Sequence, residues 1–161
     1  MVIRNAIADD FDRILQLNEE SVHFLSPLTP VRLQALHAEA AYHRVINHDG
    51  MIAGFLLAFR EGTSYDSSNY LWFKQRHEQF LYIDRVVVSK DFQGQGIGNK
   101  LYEDIFSFAR DSGVTRITCE FDIAPPNHAS KRFHERFGFR EVGTRNVGDG
   151  VKQVSLQMVS V

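Results

Sequence analysis

Three glycines in five positions, Gly94, Gly96 and Gly98 of FQGQGIGNK (92–100), stand between the strand-like run YIDRVVV and apolar residues spaced for a helix. No other feature restricts the fold as much: strand, bare turn and helix must follow one another directly. A glycine-rich turn entering a helix gathers unpaired N–H groups at one point, and the helix dipole adds partial positive charge there. Phosphate oxygens suit such a point. Spacing separates the known phosphate turns. The mononucleotide pattern GxxxxGK[ST] has no match, and the dinucleotide pattern GxGxxG would need glycine at position 99, where Asn99 stands, and should follow the first strand of a βαβ unit. What remains is Gln93-x-x-Gly96-x-Gly98 with the extra Gly94. A tight turn that needs glycine only to avoid steric strain is the competing reading.

Periodicity elsewhere alternates between strand and helix, without a repeat or a low-complexity linker, so one domain over residues 1–161 is expected. A short opening strand (1–6) is followed by Phe11, Ile14, Leu15 and Asn18 at helical spacing behind Asp9 and Asp10. Thr29 and Pro30 announce a second helix as cap and first residue. Residues 44–47, the turn-former HDG and residues 51–60 read as a hairpin with unequal arms. Residues 61–79 are polar yet carry Tyr65, Tyr70, Trp72 and Phe73, which predicts a short helix near 68–77 or a lid. A strand at 80–88, a helix at 99–112 ended by Gly113, a strand at 116–121, a helix at 127–137 capped by Gly138, and strands at 139–146 and 151–159 complete the reading. This order predicts an α+β mixed sheet with helices on both faces.

Composition excludes several classes. A net charge of −2 creates no overall basic field for nucleic acid or an anionic membrane, and no stretch approaches the ~18–20 apolar residues of a bilayer span. The single cysteine, Cys119, has no partner for an internal disulfide, and MVIRNAIADDFD lacks the apolar core of a signal peptide, so the cytoplasm is the expected compartment. The nearest approach to a nucleic-acid segment is KRFHERFGFR (131–140), whose aromatics have the spacing of a packed helix face.

VVVSKDFQGQGIGNKL resembles the coenzyme A pyrophosphate loop of the GNAT superfamily of acetyltransferases, with its signature [RQ]-x-x-G-x-[GA] between a central strand and a helix. NHASKRFHERFGF (127–139) resembles the family's following helix, Asn-x-x-Ala-x-x-aromatic-Tyr-Glu-x-x-Gly-Phe, at the same separation. Two motifs in order are far more specific than one, and the element order extends the resemblance over nearly the whole chain. Ser130 stands where alanine is usual, and His134 where tyrosine is usual. The resemblance implies a mostly antiparallel sheet of about six or seven strands, splayed between the fourth and fifth. It also implies acetyl-CoA as co-substrate without a metal, and acetyl transfer to a primary amine. A small amine or amino acid is the first expectation, a protein N-terminus or lysine the second. A non-catalytic acyl-CoA sensor is the alternative.

Site roles follow from the same resemblance. Val86, Val87 and Val88 would pair with the pantetheine arm as an added strand does. Gln93, Gly94, Gln95, Gly96, Ile97, Gly98 and Asn99 would hold the pyrophosphate, and Asn127, Ser130 and His134 would face the arm from the other side. Pro125 and Pro126, lacking ladder N–H groups, would stop strand pairing where the wedge forms. The family tyrosine gives a proton to the coenzyme sulfur; imidazolium at His134 suits that task, since its pKa of about 6.5 makes it a stronger acid than a thiol at about 8.5. Strand N–H groups near Val86 would stabilise the thioester oxygen. Asp84 and Glu120 are the candidate bases, since carboxylates in apolar strand runs are costly unless paired or wet. Alternation predicts Tyr82, Asp84 and Val86 on one face, with Ile83, Arg85 and Val87 on the other. Residues 19–30 would wall the acceptor, and the aromatic segment 65–73 would close over it, cover the sheet or form a homodimer contact.

Overall fold

The computed structural model describes residues 1–22 and 25–161; His23 and Phe24, within the segment expected to wall the acceptor, lie outside the described residues. Strand β1 (Val2–Asn5) leads through a short 3-10 turn into α1 (Phe11–Glu19), followed by α2 (Pro30–Glu39), β2 (Tyr42–His48) and β3 (Met51–Arg60). Then come α3 (Ser68–Lys74), β4 (Leu81–Val88), α4 (Ile97–Asp111), β5 (Arg116–Ala124), α5 (His128–Arg136), β6 (Arg140–Val147) and β7 (Lys152–Ser160). Local chemistry sets several of these ends. The Asp10 carboxylate accepts the Ile7 N–H at 2.9 Å and a fork from Arg4, which holds its pKa below the usual range. The Thr29 hydroxyl accepts from the Arg32 N–H with Pro30 in the first helical position. Gly113 and Gly138 follow α4 and α5 in the left-handed conformation that closes a helix.

The seven strands lie in the order β1-β2-β3-β4-β5-β7-β6, and every neighbouring pair is antiparallel except β4 with β5. That parallel pair meets only at Leu81 opposite Ile117 and Tyr82 opposite Thr118; beyond it the strands part. The expected splay between the fourth and fifth strands is therefore present. Pro125 and Pro126 do not cause it, because pairing is lost at Ile83 and Cys119, well before β5 ends. A bulge in β4 lies at the opening instead: Leu57 pairs with Arg85 and Ala58 with Ile83, leaving Asp84 as the extra residue. A bulge bends its strand and sharpens the twist, which carries β4 away from β5.

The bulge also corrects the expected alternation. Ile83 and Val86 now point to the same face, packing with Leu56, Ala58, Leu101 and Ile105 beneath α4. Tyr82 and Val87 belong to the clusters on the opposite face, with Leu57, Phe59 and the helices α1, α2 and α3. Arg85 lies opposite Leu57 and bonds Asn18 of α1, so it too faces that side. One inserted residue shifts everything after it by one, because side chains in a strand alternate with period two.

The aromatic segment is a sheet cover. Tyr70 and Phe73 are fully buried against Phe80 and Tyr82, Tyr65 stacks on Phe59 at 4.5 Å, and the Tyr70 hydroxyl donates to the Arg60 carbonyl at 2.7 Å. Side chains of this size dominate a core's energetics. Among the described residues no helix is long and apolar enough to cross a membrane.

Candidate functional site

The parting of β4 and β5 opens a cleft of about 600 Å³. The glycine turn follows the end of β4, one edge of that split. Gly94 and Gly96 have φ of +77° and +78°, a region that a side chain at Cβ penalises, and Gly96 caps α4. The first turn of α4 carries no acidic residue, so nothing local opposes an anion at its free N–H groups. Residues 93–96 and Asn99 are exposed there, and Gln95 is tied to His48 at 2.9 Å. The unpaired edge of β4 from Ile83 to Val86 and Asn127 at the start of α5 line the cleft; Val87, Val88 and residues 93–99 do not, and the turn follows directly on the end of β4 with Gly98 beside Val88 and Phe133 of α5. This arrangement fits a long thioester carrying a diphosphate: donors for the phosphates, an open strand edge for an amide arm, and a polar floor for the reactive end.

Asp84, Glu120 and His134 all line the cleft, as do Val86, Asn127 and Ser130. Their surroundings differ. Asp84 accepts from Tyr65 at 2.5 Å through one oxygen and from Arg85 at 2.8 Å through the other, and both ionic side chains are about 5% exposed or less. Arg85 spends its remaining donors on the Asn18 side chain and on the carbonyl and hydroxyl of Ser26. The charge on each face feared from the sequence thus becomes one buried pair on one face, fully hydrogen-bonded, as buried ions must be.

Glu120 has a simpler environment: both its oxygens lie within 2.8 Å of the Tyr82 hydroxyl. Burial is the main influence and pushes its pKa up to about 8; hydrogen bonds from Tyr82 and Asn69 oppose this, while the negative charges of Asp84 and Asp122 add to it. Proton affinity near neutrality is what a general base or acid needs. His134 is pushed the other way, since burial disfavours its charged ring. Its Nδ1 lies 2.7 Å from the Ser130 carbonyl and its Nε2 lies 2.7 Å from the Tyr102 hydroxyl.

Tyr65 and Asn69, from the segment 65–73 expected to close over the acceptor, line the cleft, and so do Tyr102 and Asp122, which the sequence reading did not single out. Asp122 had a signal, since Glu120-x-Asp122 on one strand places both carboxylates on one face. Asp122 is 8% exposed, and its Oδ2 has Lys152 as an ionic neighbour at 3.6 Å. Asp84, Glu120 and Asp122 line the cleft together with Arg85 and Lys152, which pair with the two aspartates, so the lining is polar and nearly charge-balanced.

The chain is similar to known proteins throughout its length. A phosphinothricin N-acetyltransferase of Streptomyces coelicolor is 45% identical over 64 residues, which is 39% of this chain and 36% of that protein. A 5-NmdU N-acetyltransferase of Pseudomonas phage PaMx11 is 26% identical over 94% of this chain and 95% of its own length. In three dimensions, yncA of Salmonella typhimurium, solved with its cofactor acetyl-CoA, superposes with a TM-score of 0.76 at 20% identity, covering 99% of this chain and 93% of that one. The model of the acetyltransferase (GNAT) family matches residues 5–139, which hold the glycine turn, both strands of the split and the helix beyond it, and the chain belongs to that family.

Proposed function

We propose that this protein transfers the acetyl group of acetyl-CoA directly to a small primary amine, with Glu120 taking the proton that the amine must lose. The observation that carries this reading is the split itself: β4 and β5 stop pairing after Tyr82 and Thr118, and Glu120, a carboxyl that burial pushes up to about 8, lines the cleft that opens there. Val86, Val87 and Val88 offer the open strand edge to the pantetheine arm. Gln93 through Asn99 hold the pyrophosphate at the start of α4, and Asn127 and Ser130 border the arm opposite. Strand N–H groups near Val86 stabilise the thioester oxygen as it gains charge. Asp84, with both oxygens engaged, acts through its charge, raising the proton affinity of Glu120.

The acceptor follows from what remains of the cleft once a pantetheine arm lies in it. Asp84 and Asp122 are already paired with Arg85 and Lys152, so the cleft does not select its acceptor by charge, and the aromatic cover of α3 limits the acceptor's size. The relatives do not choose between acceptor classes, since those named for phosphinothricin and 5-NmdU stand beside a ribosomal protein bS18-alanine N-acetyltransferase of Bacillus subtilis, so the small acceptor is this reading's own choice. Incubation with labelled acetyl-CoA and a panel of small amines, amino acids and short peptides, read by mass, tests this. Acetylation of a small amine is the expected result; acetylation of peptides alone would move the acceptor class, and coenzyme uptake without any product would favour the sensor.

A further inference from the structure

Position 134 carries an imidazole, and a phenol reaches that imidazole from a different helix. Tyr102 of α4 is 1% exposed, packed edge-on against Phe133 and His134, and is one of the residues that line the cleft. Its oxygen lies 2.7 Å from His134 Nε2, while His134 Nδ1 lies 2.7 Å from the Ser130 carbonyl. A carbonyl oxygen can only accept, so Nδ1 carries a hydrogen whether the ring is neutral or charged. The direction of the second bond therefore depends on the charge of His134. With a neutral ring, Nε2 is an acceptor and the hydrogen of Tyr102 is spent on it. With an imidazolium, Nε2–H donates to the Tyr102 oxygen, and the Tyr102 hydrogen must point elsewhere, into the cleft.

We propose that Tyr102 and His134 form a two-residue proton relay to the departing coenzyme sulfur, Tyr102 being the group that touches the sulfur and His134 the source of the proton. The proposal rests on the acetyl-transfer reading above. The step balances as follows. The amine nitrogen bonds the thioester carbon and gives up its proton to Glu120, and the C–S bond then breaks with its electron pair moving to sulfur. The Tyr102 hydroxyl hydrogen passes to sulfur as the Nε2 hydrogen passes to the Tyr102 oxygen. Thiol, tyrosine and neutral imidazole result, and the proton that Glu120 took returns to the His134 ring through solvent, so the relay turns over only in the fraction of enzyme that carries its proton on His134 rather than on Glu120.

Tyr102 acting alone would be a poor acid, since burial pushes its pKa well above that of a thiol and the transfer would leave a buried phenolate. An imidazolium with pKa below 6.5 is a stronger acid than the thiol, so the coupled transfer runs downhill. The titratable groups facing the pair are Cys119 and Glu120 on β5, both pushed toward their neutral forms by burial; Phe121, Phe133, Phe137 and Phe139 supply the rest of the surroundings.

Tyr102→Phe removes one oxygen from an aromatic cluster and tests the relay. On acetyl-CoA, with the amine identified by the panel above, kcat should fall by about 100-fold, within the usual range for general acid–base help. Binding of acetyl-CoA, measured by titration, should change by less than about two-fold on the same argument. The selenoester of coenzyme A, whose selenolate departs without needing a proton, should recover most of that loss. His134→Gln keeps a partner for the Tyr102 hydroxyl but cannot supply a proton, and should show the same loss and the same recovery; it also serves should the Phe variant fail to fold. A Tyr102→Phe enzyme with wild-type kcat, or a deficit equal on both esters, would overturn the relay. Absence of turnover by the wild-type protein with every amine would instead count against acetyl transfer itself.

Discussion

Replacing Glu120 by glutamine isolates the electrostatic cost of the cleft, because the amide keeps the shape and can still accept from Tyr82 but cannot ionise. The carboxyl has an ordinary value of 4.5 and is raised to about 8 in the folded chain, chiefly by burial. Between those values the unfolded chain has lost its proton while the folded chain keeps it. The folded state therefore binds more protons, and its stability falls as pH rises through that window. Each pH unit costs up to about 1.4 kcal/mol, so the full window is worth ~5 kcal/mol, reached above pH 8 and absent below pH 4.5. Water entering the cleft screens part of this, and roughly half is the expected observable. Urea unfolding of wild type and Glu120→Gln at pH 5.5 and 7.5 measures it, since every other titrating group cancels in the difference. Wild type should lose about 1–3 kcal/mol more than the variant between the two pH values. Parallel stability curves would show that Glu120 is ionised throughout, and the base assignment would lose its physical ground.

Three further outcomes are expected. Gly96→Ala, at φ +78° with open space around the added Cβ, should cost about 1 kcal/mol through backbone strain, and should weaken acetyl-CoA binding in calorimetry. Asp84→Asn leaves the Arg85 charge buried without its partner and should destabilise the fold by about 3–5 kcal/mol in denaturant unfolding. In surviving Asp84→Asn enzyme the pH–rate profile should keep its Glu120-dependent limb, displaced to lower pH because a negative charge beside Glu120 has gone, whereas Glu120→Gln should lose that limb. Phe73→Ala, removing a fully buried ring of the α3 cover, should lower stability by about 3–5 kcal/mol, visible as a reduced Tm.

Much of the architecture was legible from local rules. Thr29-Pro30, the HDG turn, Gly113 and Gly138 each act over a few residues, so the elements they bound fall close to where spacing put them. The strand–glycine–helix junction was legible for the same reason: positive φ at Gly94 and Gly96 is a property of two residues and their immediate neighbours. The faces of β4 were not legible. A bulge is settled by how β3 and β4 pair across the sheet, and that pairing moved Asp84 and Arg85 onto one side and joined them in a single ion pair.

The amino-acid order alone thus fixed the succession of elements, the anion-ready turn and the carboxylates available for chemistry, because short-range sterics, capping and periodicity act within one stretch of chain. Packing alone decided how the two carboxylates differ, since distant residues bring Tyr65 and Arg85 to Asp84, and Tyr82, Asn69 and burial to Glu120. It likewise set Tyr102 against His134 across two helices, a contact between positions thirty-two apart that no local pattern encodes.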